Sequence, residues 1–151
     1  MVRGISFTAK HPTGDTLYDI LTEIGADAYC WRIIKSQTEA MDSTFEEKIF
    51  QKEYYKGREL MNCKFHNSLI IFLKLEAYVG KCDSEDIITY ADFRTSCCQM
   101  LLLVNDSENV EIYLKSDNIL HRIEMYLRRC RCYDYSLITD ENDARTRLEV
   151  L

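Results

Sequence analysis

The sequence predicts an α+β fold in which a single mixed β-sheet of about six to seven strands carries three to four helices packed against it. Segments with apolar residues at every second position alternate with segments whose apolar residues recur at helical spacing. Two strand-like segments are joined by the short polar loop NDSEN, which is typical of a hairpin. The chain has 151 residues, 46% of them hydrophobic, which predicts a single globular domain over residues 1–151.

The elements follow one another without an internal repeat or a low-complexity linker. The clearest helices have apolar residues at i, i+3, i+4 and i+7, and Gly25 fits the left-handed stop of the first one. A capping box from Ser43 to Glu46 predicts a short helix that follows it. In chain order, the predicted strands are 3–9, 28–35, 59–65, 69–79, 99–104, 110–115, 134–139 and 145–150, the last as a strand or a tail. The predicted helices are 11–25, 43–51, 83–96 and 116–130.

The longest strand, LIIFLKLEAYV at 69–79, indicates how the sheet is arranged. One face is apolar throughout, whereas the other turns polar at Lys74 and Glu76, so we expect that end of the strand to be half exposed. A predicted helix links this strand to 99–104, and two strands joined through a helix run parallel when they share a sheet. Strand 110–115 is likewise expected to run parallel to 134–139.

Three acidic turns follow strands and are the best candidates for a site. Parallel strands at 69–79 and 99–104 would bring the first two turns to the same rim of the sheet, where oxygen ligands suit magnesium. The tentative metal ligands are therefore Asp83, Asp86, Asp106 and Glu108. The alternative is solvated turns, because Asp, Asn and Ser are common in turns for local hydrogen-bonding reasons.

The third acidic turn lies in ITDENDARTRLEVL, which closes the chain. It fails as a calcium loop, because with Asp140 as the first position Ala144 is the fifth and Arg145 is the sixth, where glycine is required. The simpler interpretation is a turn whose carboxylates pair with Arg145 and Arg147.

Charge and cysteine content limit the partners and the compartment. The net charge is −6, and residues 81–151 carry nine basic against fourteen acidic side chains, which disfavours nucleic acid as a partner. The helix dipole is the preferred explanation for the arginines near the end of helix 116–130, and nucleic-acid binding through this helix is the alternative. An odd number of cysteines, seven, and an N-terminus without an apolar signal core predict a reduced, cytoplasmic protein. No segment is long and apolar enough for a membrane span, and no motif predicts a cofactor.

Ten tyrosines suggest an interface, although tyrosines at strand edges and around the core are the alternative explanation. The motifs EYYKG at 53–57 and CYDY at 132–135 are expected to be exposed. The first hypothesis is a non-enzymatic interaction module that binds a protein partner or associates with itself. The alternative is an enzyme or binder of a small molecule or a divalent metal that uses the acidic turns.

The chain resembles a family of small uncharacterised proteins of Bacillus-type bacteria, the domain of unknown function 2691 family. The resemblance rests on RGISF, LYDIL, YCWRI, YADFRTSCCQMLLLVNDSENVEIY and, above all, ITDENDARTRLEVL, and it is weakest over 36–65. It implies a bacterial cytosolic protein and transfers no catalytic residue. It draws attention to the tail, so the tentative binding residues are Asp140, Asn142, Asp143 and Arg145.

Overall fold

A sheet of eight strands forms the centre of the computed structural model, which describes residues 1–132 and 134–150. The strands are β1 (Val2–Thr8), β2 (Cys30–Ile33), β3 (Glu39–Met41), β4 (Tyr54–Lys56), β5 (Leu69–Tyr78), β6 (Met100–Asn105), β7 (Asn109–Leu114) and β8 (Ser136–Thr139). Their order is β4-β2-β5-β6-β7-β1-β8, and β3 pairs with the first part of β5. Strands β4 and β8 therefore lie at the two ends of this order. The predicted α+β class is confirmed, with one strand more than the predicted six to seven.

Four α-helices in the described residues accompany the sheet, and the two longest cover one of its faces. They are α1 (Thr13–Glu23), α2 (Gly57–Met61), α3 (Tyr90–Thr95) and α4 (Asp117–Arg129). The buried stripes of α1 and α4, including Leu21 and Ile123, pack with Ile5, Ile33 and Leu75 in the main core. We call this side of the sheet the helix face. The helical periodicity of both segments is confirmed, and Gly25 follows α1 with a left-handed φ of 70°.

The opposite side of the sheet is covered by two irregular segments rather than by long helices. The first is residues 80–99, here called the strap, which contributes Ile87 and Phe93 to a second apolar cluster. The second is residues 140–150, here called the tail, which contributes Leu148. Leu148 N donates to Ile88 O, so the tail and the strap pair directly. We call this side the strap face.

The expected parallel arrangement of 69–79 and 99–104 is wrong. β5 and β6 are adjacent and antiparallel, with Ala77 opposite Met100. The connection between them contains only the six-residue helix α3, so the chain folds back over the strap face and re-enters the sheet at the end it left. Every strand pairing in residues 1–132 and 134–150 is antiparallel, so the sheet is not mixed. β7 and β8 do run in the same direction, because both pair antiparallel with β1 between them.

Three shorter predictions also fail, each for a local reason, and a fourth resolves to one of its two alternatives. The helix expected at 43–51 is replaced by a turn, because Asp42 Oδ1 binds both the amide and the hydroxyl of Thr44. The strand expected at 59–65 is absent: residues 59–61 belong to α2, whose start is fixed by Glu59 accepting from the amide of Lys56, and residues 62–65 are irregular. The helix expected at 83–96 is limited to α3, with Thr89 as its N-cap. The last predicted strand, 145–150, is a tail without strand pairing in its described residues.

No helix in the described part of the chain combines the length and the apolar character that crossing a membrane requires.

Candidate functional site

The first two acidic turns lie at opposite ends of the strands, one near the last residues of β5 and the other near its first residues. Asp86 Oδ1 is 3.7 Å from Arg32 Nη2, beside the last residues of β5. Ser107, between Asp106 and Glu108, donates its amide to Ile71 O near the first residues of β5. Glu76, which is opposite Arg32, lies five residue steps along β5 from Ile71, and this spacing corresponds to roughly 17 Å. The predicted convergence is therefore wrong, because it depended on a parallel pair of strands.

Each of these tentative ligands has its own surroundings. Asp83 caps the amide of Glu85, and Glu108 Oε2 lies 3.8 Å from His11 Nε2. Asp106 adopts a left-handed φ of 52° in the hairpin turn. Within residues 1–132 and 134–150, no three His, Cys, Asp or Glu side chains are grouped so that they could hold a metal ion.

The third acidic turn binds the first strand. Arg3 Nε donates to Asp140 Oδ1 at 2.9 Å, and Arg3 Nη1 donates to Asp143 Oδ2 at 3.2 Å. The Tyr113 hydroxyl donates to the same Asp143 carboxylate. The hydrogen bond from Arg3 lowers the pKa of Asp140 below its usual value. The expected pairing of these carboxylates with Arg145 and Arg147 is therefore wrong, since their cation comes from the other end of the chain.

Asn142 closes the outer edge of β8. Its Oδ1 accepts from Thr139 N at 2.8 Å, and its Nδ2 donates to Leu137 O at 3.0 Å. The amide of Asp143 then donates to Thr139 O at 3.1 Å. The backbone N–H and C=O groups of residues 137 and 139 point away from β1. The side-chain amide of Asn142 therefore occupies the place that another strand would take. Such covering of a sheet edge prevents pairing with other chains.

Arg145 fixes the beginning of the tail on β7. Its Nη2 and Nε donate to the two carboxylate oxygens of Glu111 at 2.6 and 3.3 Å, and its Nη1 donates to Glu149 O at 2.5 Å. Bidentate pairing of this kind is the stronger form of the arginine–carboxylate interaction. Donation to the Glu111 carboxylate raises the pKa of Arg145. Arg147 instead forms an exposed pair with Glu149.

Three of the four tentative binding residues border an open cleft on the strap face, here called the β8 cleft. It has a volume of about 640 Å³ and lies over β7, β1 and β8. Asn142, Asp143 and Arg145 form part of its wall, and Asp140 does not. Hydrogen-bonding groups dominate the rest of the lining, which includes Ser6, Thr8, Asn105, Asn109, Glu111 and Ser136. The cleft therefore suits polar groups.

A second constellation, which the sequence analysis missed, is a group of buried charges under the strap. Lys74 is 3% exposed and Glu76 is 0% exposed, although this part of β5 was expected to be half exposed. Glu76 Oε1 accepts from the Tyr78 hydroxyl at 2.8 Å and lies 3.7 Å from Arg32 Nη1. Glu76 Oε2 has no hydrogen-bond partner among the described residues. The sequence did contain a signal for this group, namely two charged residues within an apolar strand. Charged side chains are buried only where other groups pair with them, so such a strand indicates a buried charged cluster.

These charges hold the strap to the sheet. Arg32 Nη1 donates to Glu85 O at 3.1 Å, and Lys74 Nζ donates to Ile87 O. Burial raises the pKa of Glu76 and lowers the pKa of Lys74, because removal from water disfavours the charged form of each group.

A second large cleft, here called the β4 cleft, opens at the other end of the strand order. It also measures about 640 Å³ and lies between β4 and the first residues of the strap. Tyr54 forms part of its wall and is 43% exposed, whereas Tyr55 is buried. The remaining lining residues are Cys30, Lys56, Glu59, Gly80, Lys81, Cys82 and Ser84. Of the two tyrosines in EYYKG, the expected exposure is confirmed for Tyr54 and wrong for Tyr55. In CYDY, Tyr135 is partly exposed and Tyr133 lies outside the described residues.

The arginines at the end of α4 are engaged within the protein. Arg128 Nε donates to the Tyr135 hydroxyl at 3.0 Å, and Arg129 Nη2 donates to Glu23 Oε1 at 2.5 Å on α1. These contacts support the interpretation that the cluster stabilises the end of α4 and its packing on α1.

Comparison with known proteins places the chain among uncharacterised relatives. The profile of the family described as "Protein of unknown function (DUF2691)" matches residues 2–149. The "Uncharacterized protein YncE" of Bacillus subtilis (strain 168) is 30% identical over 154 residues, covering 99% of this chain and 100% of the relative. No solved structure matches significantly. Because the profile spans almost the whole chain and the relative aligns over its full length, the chain belongs to the DUF2691 family of proteins of unknown function.

Proposed function

We propose that this protein is a non-enzymatic interaction module that binds a partner protein at the β4 cleft. The observation that carries the proposal is Tyr54, a large aromatic side chain that is 43% exposed on the wall of a cleft at the end of the sheet. Tyrosine is one of the residue types that contribute most binding energy at protein interfaces, because it offers a broad apolar ring and a polar tip.

The composition of the β4 cleft supports a protein partner. The ring of Tyr54 and the thiols of Cys30 and Cys82 provide weakly polar surface, and Lys56 and Lys81 provide charge. An apolar centre with a polar rim is the usual anatomy of a protein interface. A partner that inserts one apolar side chain next to Tyr54, flanked by an acidic residue for the lysines, fits this chemistry.

Site-specific photo-crosslinking in cells of the native host tests the proposal. A benzophenone amino acid at position 54 is expected to give one protein adduct of defined mass. The same amino acid at position 18 is the matched control, because Tyr18 is 42% exposed on α1, away from the β4 cleft. Adducts at both positions, or at neither, contradict a binding surface centred on Tyr54.

A binding measurement with the purified partner completes the test. Tyr54→Ala is expected to raise the dissociation constant at least tenfold, which is a loss of about 1.4 kcal/mol of binding free energy, as for a central interface residue. Tyr18→Ala is expected to leave it unchanged. If both variants bind as the wild type does, the crosslink reports proximity only and the proposal fails.

A second candidate function is the binding of a small polar molecule in the β8 cleft. The observation that favours it is the density of hydroxyl and amide groups around Ser6 and Ser136, whose Oγ atoms are 3.1 Å apart. Ligand-detected NMR with sugars, amino acids and nucleosides tests it. Binding that is lost in Ser136→Leu and retained in Tyr54→Ala is expected, and no binding by any compound contradicts this function.

A further inference from the structure

The start of the strap crosses β2 on the strap face, and this places two cysteines on one cleft. Cys30 is opposite Tyr78 in the β2–β5 pairing, so its side chain points to the strap face. After Tyr78 the chain turns at Gly80, which has a left-handed φ of 80°. The contact of Arg32 with Glu85 O then holds the strap above β2, two residues along from Cys30.

Cys30 and Cys82 both line the β4 cleft, and both are free and partly exposed. Two thiols on the walls of one cleft offer two soft sulfur ligands at a site that a small molecule can reach. Thiolate sulfur prefers soft, thiophilic centres over oxygen-preferring ions such as Mg²⁺.

We propose that Cys30 and Cys82 form a dithiol site that chelates a thiophilic centre, for which a trivalent arsenical is the probe. With phenylarsine oxide the two S–H bonds and the As–O bond break, two As–S bonds form, and the oxygen leaves with both protons as water. Arsenic remains trivalent throughout, so the reaction needs no oxidant or reductant. The proposal is independent of the partner protein, since it concerns the free chain.

The surroundings of Cys82 favour chelation over simple thiol reactivity. Burial and the neighbouring Cys30 thiol raise the pKa of Cys82 to about 11, so little thiolate is present at neutral pH. A monofunctional alkylating reagent is therefore expected to modify exposed Cys97 faster than Cys82. An arsenical gains from the second sulfur, because its attachment to one thiol makes the other reaction intramolecular.

Intact-mass spectrometry of the fully reduced, folded protein tests the proposal. One equivalent of phenylarsine oxide is expected to add one phenylarsenic group with loss of one water. Excess ethanedithiol is expected to remove it, and excess 2-mercaptoethanol is not. Peptide mapping of the wild-type adduct is expected to join the peptides containing Cys30 and Cys82.

Single substitutions distinguish this pair from the two other close cysteine pairs. Cys30→Ser and Cys82→Ser are each expected to lower the apparent affinity at least tenfold. Cys97→Ser and Cys130→Ser are the matched controls, because each removes the more accessible thiol of another pair. An adduct that survives in Cys30→Ser, or that is lost in either control, overturns the proposal. So does the absence of a one-to-one adduct in the wild type, a result that needs no variant to fold.

Discussion

Asn142 gives the sharpest test of what the tail does. The perturbation is Asn142→Ala, which removes the hydrogen bond from Thr139 N and the hydrogen bond to Leu137 O, at 2.8 and 3.0 Å. A typical hydrogen bond contributes roughly 1 kcal/mol net, and the freed backbone groups can bind water because this edge is exposed. We therefore expect the free energy of unfolding to fall by roughly 1.5 kcal/mol, which lowers the melting temperature by about 3–6 °C for a domain of this size.

Urea unfolding followed by the fluorescence of buried Trp31 measures this change. Glu141→Ala is the matched control, because the Glu141 side chain is next to Asn142, is exposed and has no hydrogen bond in the described part of the chain. We expect this substitution to change the free energy of unfolding by less than about 0.5 kcal/mol. Sedimentation velocity is expected to show more self-association for Asn142→Ala only, since the outer groups of β8 become available to other chains. If both variants unfold at the same urea concentration and sediment as the wild type does, the edge-capping role of Asn142 is refuted.

Two further predictions concern charged groups on the strap face. Arg145→Ala removes the bidentate pair with Glu111 and is expected to lower the free energy of unfolding by roughly 2 kcal/mol. Arg147→Ala removes only an exposed pair and is expected to change the free energy of unfolding by less than about 0.5 kcal/mol. Equal urea midpoints for the two variants contradict this prediction. Because burial raises the pKa of Glu76 above 4.5, its contribution to stability is full below that pH and is lost as the pH rises through the folded-state value. The stability of the wild type relative to Glu76→Gln is therefore expected to fall with rising pH in urea titrations, and a parallel pair of curves contradicts it.

The sequence predicts best those elements whose pattern extends over several turns or strand positions. The helices α1 and α4 follow directly from their apolar stripes, because a periodic face must be buried wherever the helix lies. Short segments are decided by single side-chain contacts that periodicity does not encode. The Asp42 carboxylate turns the chain at Thr44, and Glu59 starts α2 where alternating apolar residues indicated a strand.

The candidate sites were less predictable because they depend on strand direction. The helix rule assigned a parallel crossover to the segment after β5, and that segment instead returns over the strap face. Asp83 and Asp106 were thereby grouped although they lie at opposite ends of the sheet. Conversely, Arg32 and Glu76 come from strands far apart in sequence, and only their register, in which the two residues are opposite each other, reveals the buried pair.

The two faces of the sheet are covered in different ways, and this difference connects the sites on the strap face. The helix face is closed by the long apolar stripes of α1 and α4, and the hydrophobic burial that holds them has no preferred direction. The first part of the strap has no helix, and its position depends on directional contacts from Arg32 and Lys74. Buried charges of this kind add little net stability, since desolvation offsets much of their attraction, but removing one partner is costly because the other is left unpaired. Arg32 and Lys74 therefore fix the path of the strap over the sheet, and with it the position of Cys82 in the β4 cleft that Cys30 also lines.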